Sequence, residues 1–207
     1  MLIIQPTIFS SIIQYVALAN AEKVLFETAD NFQKQTYRNR YYIYGANGVQ
    51  MLNVPVMHLK SDGKIKTKDI QIDHSFSWHK LHVKTLDSAY SSSPFYEFYR
   101  EDIIPVIEKK HKYLLDLNFE AMAVVNDCLD MDMSYQKTVE FQPDTAYVND
   151  FRTLVLAKGN RKYDLKKYTQ VFDDKHGYIA NLSILDLLFN EGTTALIYLE
   201  AHKNLLY

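Results

Sequence analysis

The reading of residues 2–26, LIIQPTIFSSIIQYVALANAEKVLF, decides the fold. Leu2-Ile3-Ile4 reads as a short buried strand, and Pro6 closes it because proline cannot donate to a sheet ladder. Ile12, Ile13, Val16, Ala17 and Ala19 then fall on one helical stripe, with Ser10 or Ser11 placed to cap it. Val24-Leu25-Phe26 is the next strand. Strand, loop, helix and strand in this order predict an α/β unit with a parallel pair.

Working outward, residues 31–56 read NFQKQTYRNRYYIYGANGVQMLNVPV. Arg40, Tyr42 and Tyr44 alternate onto one face of a strand, and Tyr41 and Ile43 onto the other. Asn47-Gly48 is a hairpin signal, since both residue types tolerate positive φ. The return strand carries Leu52, Val54 and Val56, and Pro55 predicts that it runs out at a sheet edge. The stretch also concentrates Lys34, Arg38 and Arg40 among four tyrosines, in a chain whose formal net charge is only −2. Two guanidiniums flanking Asn39 are a standard means of gripping carboxylate or phosphate. A buried structural network accounts for the same residues, and the local pattern leaves both readings open.

Further along, a polar, basic loop is expected over 60–68 and a short strand over 69–73. Ser77 begins a helix through Tyr90, with Phe76 and Leu81 as a hydrophobic staple. Ser93-Pro94 starts another, which Pro105 kinks or ends, and Asp116 caps a third. Weak strands are expected near 138–141 and 153–157. NLSILDLLFNEG (181–192) is a unit in which Ser183 caps, Asp186 answers it, Leu182 and Leu187 staple, and Gly192 ends the helix. Thr193 or Thr194 restarts a last helix.

With 23 basic and 25 acidic side chains in 207 residues, no global charge points to nucleic acid or anionic membrane, so any anion site is local. The one cysteine, Cys128, excludes an intrachain disulfide and fits a reducing compartment. Gln5, Pro6, Ser10, Ser11 and Gln14 interrupt the apolar N-terminus, which has no basic flank, so neither signal peptide nor membrane span is expected. A soluble, cytoplasmic protein is the expectation. Glycine-rich phosphate loops, nucleophile elbows and H-E-x-x-H helices are absent from the sequence. His79 and His82 share a helix face, but no third ligand at defined spacing completes a metal site. His82 reads either as a buried, hydrogen-bonded histidine or as an acid–base or substrate-orienting group. Cys128 is a core residue, and the aspartates in turns, Asp150 among them, need no catalytic explanation.

Four blocks in order are IIQP (3–6), NFQKQTYRNR through GANG to VPV (31–56), WHKLHVKTLDSAYSSSPF (78–95) and YIANLSILDLLFNEG (178–192). Together they resemble the WbqC-like family of small bacterial proteins. The chain departs from the family pattern at Ser10 and Ala180, where prolines are usual. The resemblance implies bacterial surface-polysaccharide (O-antigen) biosynthesis, with transfer of an amino-acid or acyl group to an aminosugar. It supplies no established catalytic residues, but its pattern puts weight on Gln5, Lys34, Tyr37, Arg38, Asn39, Arg40, Trp78, His82, Tyr90, Asn181 and Asp186. The expectation takes His82 as the general base and the others as substrate-binding residues.

The expected architecture is α/β (or α+β), one compact domain over 1–207. A mixed sheet would hold the N-terminal strand–helix–strand unit and a hairpin at about 40–56, with helices packed around it. The expected partner is a small anionic molecule, a nucleotide sugar or an acyl or aminoacyl donor, and not nucleic acid. The cofactor and the oligomeric state are left open. A non-catalytic ligand-binding or assembly protein of the same pathway is the alternative to a transferase. RNA binding by exposed Tyr and Arg on one sheet face is a third reading.

Overall fold

The computed structural model describes residues 1–57, 65–143, 149–158 and 162–206. It is an α/β structure whose strands divide between two sheets. The chain opens with β1 (Leu2–Ile4), α1 (Ile12–Ala19) and β2 (Val24–Phe26), as the apolar pattern requires. β1 and β2 pair in parallel, Leu2 opposite Val24 and Ile4 opposite Phe26. The hairpin β3 (Arg40–Gly45) and β4 (Gly48–Asn53) forms a separate antiparallel sheet. Its positive φ falls on Gly48 alone, at +96°, and not on Asn47.

Then come α2 (Trp78–Tyr90), α3 (Tyr96–Glu108), α4 (Leu114–Cys128), β5 (Tyr135–Lys137), β6 (Asn149–Asp150), α5 (Asp173–His176), α6 (Ile184–Glu191) and α7 (Ala195–Ala201). The parallel sheet has the order β5-β2-β1-β6. From β1 the chain steps outward to β2 and β5, then returns to pair β6 with the other side of β1. Strand order therefore reverses between β1 and β6.

Leu2, Ile4, Val24 and Phe26 turn into one apolar cluster shared with the hairpin residues Tyr41, Ile43 and Leu52 and with the helices. α2 packs on β3, α3 on α4, and α1 on α6 and α7.

Several local expectations are corrected. The strand expected over 138–141 lies at Tyr135–Lys137. Residues 152–155 form a 3-10 turn just after β6, because Arg152 bends back to Asp150. The 69–73 segment makes single bridges, Ile72 to Val56 and Gln71 to Tyr113, rather than a strand. Phe76 and Leu81 are both exposed, so they form no buried staple. Pro105 sits inside α3, and α4 begins at Leu114, two residues before Asp116. Most of the expected basic loop over 60–68, and Asp144, another of the aspartates expected in turns, lie outside the described residues. No helix among the described residues is long and apolar enough to cross a membrane.

Candidate functional site

Side chains that leave parallel strands at their carboxyl ends converge where the strand order reverses, since neighbouring connections part in opposite directions there. Gln5 follows β1, Glu27 and Asp30 follow β2, and Asp150 and Arg152 end and follow β6. A cleft of about 650 Å³ opens at this edge, lined by Gln5, Asp30, Arg38, Asp150 and Arg152, with Phe32 and Phe141 among its apolar walls. Its size lies within the range of small-molecule sites.

Asp30 organises the floor. Its Oδ2 accepts from Arg38 Nη2 at 2.5 Å and from Gln5 Nε2 at 3.1 Å, and its Oδ1 accepts from the Thr67 hydroxyl at 2.6 Å. Arg38 is only 1% exposed. Burial pulls its guanidinium below the ordinary range, against the stabilising pull of Asp30. Two buried polar atoms around this carboxylate have no hydrogen-bond partner among the described residues, Gln5 Oε1 and Arg38 Nε. One is an acceptor and the other a donor, and both belong to side chains that line the cleft.

Arg152 forms the opposite wall. It pairs with Asp150 at 2.6 Å and donates to the carbonyls of Gln142 and Pro143. Its bonds to Asp150 raise its pKa. Glu27 is fully buried behind it, with Oε1 accepting from the Ala29 N–H and Thr138 Oγ1 and Oε2 at 3.6 Å from Arg152 Nη1. Each arginine of the cleft thus faces a carboxylate. The site is dense in hydrogen-bonding groups without being a cationic trap.

Gln5 and Arg38 meet in this cleft as neighbours of one carboxylate. Lys34, Asn39 and Arg40 do not join them; they line a second cavity of about 370 Å³ together with Asn53, Asp73 and Phe76. Phe32 borders both cavities, so the segment following it is a wall between them. Tyr37 packs edge-on against Tyr42 with ring centres 5.8 Å apart, and burial followed by Tyr42 and Tyr163 pushes its hydroxyl up to about 12.

The remaining expected site residues are engaged in the core. Trp78 is buried and stacks on His79 at 4.0 Å. Tyr90 donates to Asp186 Oδ1 at 2.8 Å, and Tyr168 and Gln170 donate to Asp186 Oδ2 at 2.6 and 2.8 Å. This fully buried carboxylate, raised by desolvation against those three donors, ties α6 to α2 and to the 168–170 segment. It does not answer the Ser183 cap. Asn181 Oδ1 accepts the Ile13 N–H at 2.9 Å and so caps α1.

His82, expected as the general base, is 1% exposed. Its Nε2 lies 3.2 Å from the Asn53 carbonyl, so that nitrogen carries the proton, and Nδ1 accepts from the Tyr41 hydroxyl at 3.1 Å. Burial lowers its pKa to about 4. With both nitrogens committed and no place on either cavity wall, the geometry gives no support to the general-base expectation. The RNA reading also loses its platform, because Tyr44 is buried under Phe172 and His176 and Tyr42 rests on Tyr37. Among the described residues no group of three or more His, Cys, Asp or Glu side chains is arranged to hold a metal.

Asp30, Arg152 and Asp150 were not legible as site residues. The available signal was positional: each follows or ends a parallel strand, but β6 is two residues long and carries no apolar run.

These features define an open, parallel α/β protein with a polar crevice at its topological switch point. A model described as the WbqC-like protein family matches residues 5–163, and the chain belongs to that family. No curated protein and no solved structure matches it.

Proposed function

We propose that this WbqC-like protein transfers an amino-acid or acyl group onto an aminosugar in bacterial surface-polysaccharide biosynthesis, with the sugar bound in the cleft at the β1–β6 reversal. The supporting observation is the unpartnered pair around Asp30. Gln5 Oε1 and Arg38 Nε are a buried acceptor and a buried donor left without a partner among the described residues, on cleft-lining side chains that share one carboxylate oxygen, and a ligand reaches them only as the floor opens. A sugar hydroxyl is both donor and acceptor and can satisfy the two together, which a simple anion cannot. The carboxylates of Asp30 and Asp150 suit a polyhydroxylated, amine-bearing ligand better than an anion alone.

An amine acceptor brings its own nucleophile. The nitrogen attacks the acyl carbon, the bond from that carbon to its leaving group breaks with the electron pair going to the leaving group, and the proton the amine releases passes to that departing group or to solvent. The protein's share is to orient the acceptor and exclude competing water. Arg38 is fixed by Asp30 and Thr36, so its guanidinium is held without further ordering.

A thermal-shift panel of aminosugars, nucleotide sugars, amino acids, adenylates and acyl carriers tests the reading. A ligand at a hundred times its dissociation constant adds about 2.7 kcal/mol. An aminosugar should stabilise the native protein, and Gln5→Ala should remove that effect. No shift from any sugar would sink the proposal. The sealed His82 favours a second reading, a non-catalytic ligand-binding protein of the same pathway. Mass spectrometry separates the two: an N-acylated sugar formed by the protein supports transfer, while saturable binding without product supports the binding role.

A further inference from the structure

The second cavity has a chemistry of its own. Among the described residues Arg40, at the start of β3, has a buried Nε with no hydrogen-bond partner, and its Nη1 lies 3.6 Å from the Met51 sulfur. Among the described residues no carboxylate pairs with it, in contrast to Arg38 and Arg152. Lys34, on the same cavity, is exposed and makes no hydrogen bond or ion pair among those residues. Asn39 is more than nine-tenths buried; its Nδ2 donates to Asn53 Oδ1 and to the Val54 carbonyl, and its Oδ1 has no partner among the described residues. Gln35, between Lys34 and the strand, holds a left-handed backbone at φ +61°, a conformation that strained functional segments often carry.

Among the described residues the carboxylate on the cavity wall is Asp73, whose Oδ1 accepts from the Ser75 N–H. Two cations, Lys34 and Arg40, share the described lining with it. On the rim stands Phe76, 66% exposed, an aromatic face that the core does not use. A guanidinium edge and an ammonium suit phosphate oxygens, Asn39 Oδ1 accepts from a ligand hydroxyl or N–H, and an exposed ring offers stacking to a planar heterocycle.

We infer that the cavity bounded by Lys34, Asn39, Arg40 and Phe76 is a second ligand site, separate from the cleft at the sheet edge, and that it takes a nucleoside diphosphate group. The phosphates lie against Arg40 and Lys34, and the base lies against Phe76. The inference stands beside the aminosugar reading and does not depend on it, since none of these four residues lines the first cleft.

Titration calorimetry of the full chain with inorganic pyrophosphate and with uridine 5′-diphosphate tests it. Both should bind saturably, and the nucleotide should bind more tightly. Arg40→Gln should weaken both by about tenfold or more, as loss of a charge-assisted contact does. Phe76→Ala should weaken the nucleotide by about fivefold and leave pyrophosphate unchanged. Gln5→Ala should leave both affinities intact even where it abolishes aminosugar binding, so the two sites fail separately. If Arg40→Gln does not fold, Lys34→Gln at its exposed position carries the test and should still weaken pyrophosphate measurably. No saturable binding of either probe, or equal pyrophosphate affinity in the folded Arg40 or Lys34 variant, overturns the site.

Discussion

At the scale of single residues, burial decides what a titratable group can do. His82 is the plainest case, held neutral between Tyr41 and the Asn53 carbonyl with its pKa near 4 against an ordinary 6.5. As pH falls below 6.5 the unfolded chain takes up the proton first. Stability is therefore fully present above about pH 6.5 and is lost as pH falls through the folded pKa. With about 1.4 kcal/mol per pKa unit, the loss reaches about 3 kcal/mol by pH 4. Burial lowers His79 and His111 as well, with the same sign. Urea denaturation from pH 7.5 down to 4.5 should show the decline, and His82→Gln should flatten it; an equally steep profile in that variant would refute the assignment. The same physics separates Arg38 from Arg40. Two residues apart in sequence, one is neutralised by Asp30 in the sheet-edge cleft and the other faces a different cavity with no carboxylate partner among the described residues.

At the scale of elements, the first turns of α1 and α6 complete one another. The Ile12 N–H donates to the Leu182 carbonyl and the Ile13 N–H to Asn181 Oδ1, while the Ile184 N–H donates to the Ser10 carbonyl. Helix starts leave N–H groups unpaired, and here each loop supplies acceptors to the other helix. The arrangement holds Asn181 at φ +56° and Phe9 at +38°. Ser10 and Ala180, the two departures from the family pattern, fall in these loops, and the Ser10 hydroxyl bonds Thr7 Oγ1 at 2.6 Å. Asn181→Gly keeps the left-handed backbone and loses only the cap, at about 1 kcal/mol, whereas Asn181→Ala adds strain and should cost about 2 kcal/mol. Chemical denaturation of the pair checks the order. The reverse ranking would remove the backbone argument and leave capping alone. The sequence shows Ser183 as a cap because the signal is local. It does not show that Asn181 serves a helix 168 residues away.

At the scale of the whole molecule, one apolar cluster joins the parallel sheet, the hairpin and the helices. A shared core couples its parts, so unfolding should follow a single cooperative transition. Coincident urea curves from Trp78 fluorescence and far-ultraviolet circular dichroism check this, and two resolved transitions would indicate separate domains. The cationic stretch is also divided between two cavities. Arg38 reaches Asp30 at the edge of the parallel sheet, while Lys34, Asn39 and Arg40 line the cavity that the hairpin residues Arg40 and Asn53 help to form.

The amino-acid sequence determined the α/β unit, the hairpin, most helix positions and the family, because these rest on local periodicity, capping and turn chemistry. It also marked 31–40 as a stretch of concentrated chemistry. Only the tertiary structure decided which of those residues meet. Asp30 gathers Gln5, Arg38 and Thr67 from three separate parts of the chain, and β6 brings Arg152 across from them, through a pairing of two residues too short for any pattern to announce. His82, Tyr90, Asn181 and Asp186 read as polar candidates along the chain, yet folding turned each inward onto a partner distant in sequence. A polar side chain becomes a ligand site or a structural tie according to whether its last hydrogen bond is satisfied, and partners far along the chain settle that.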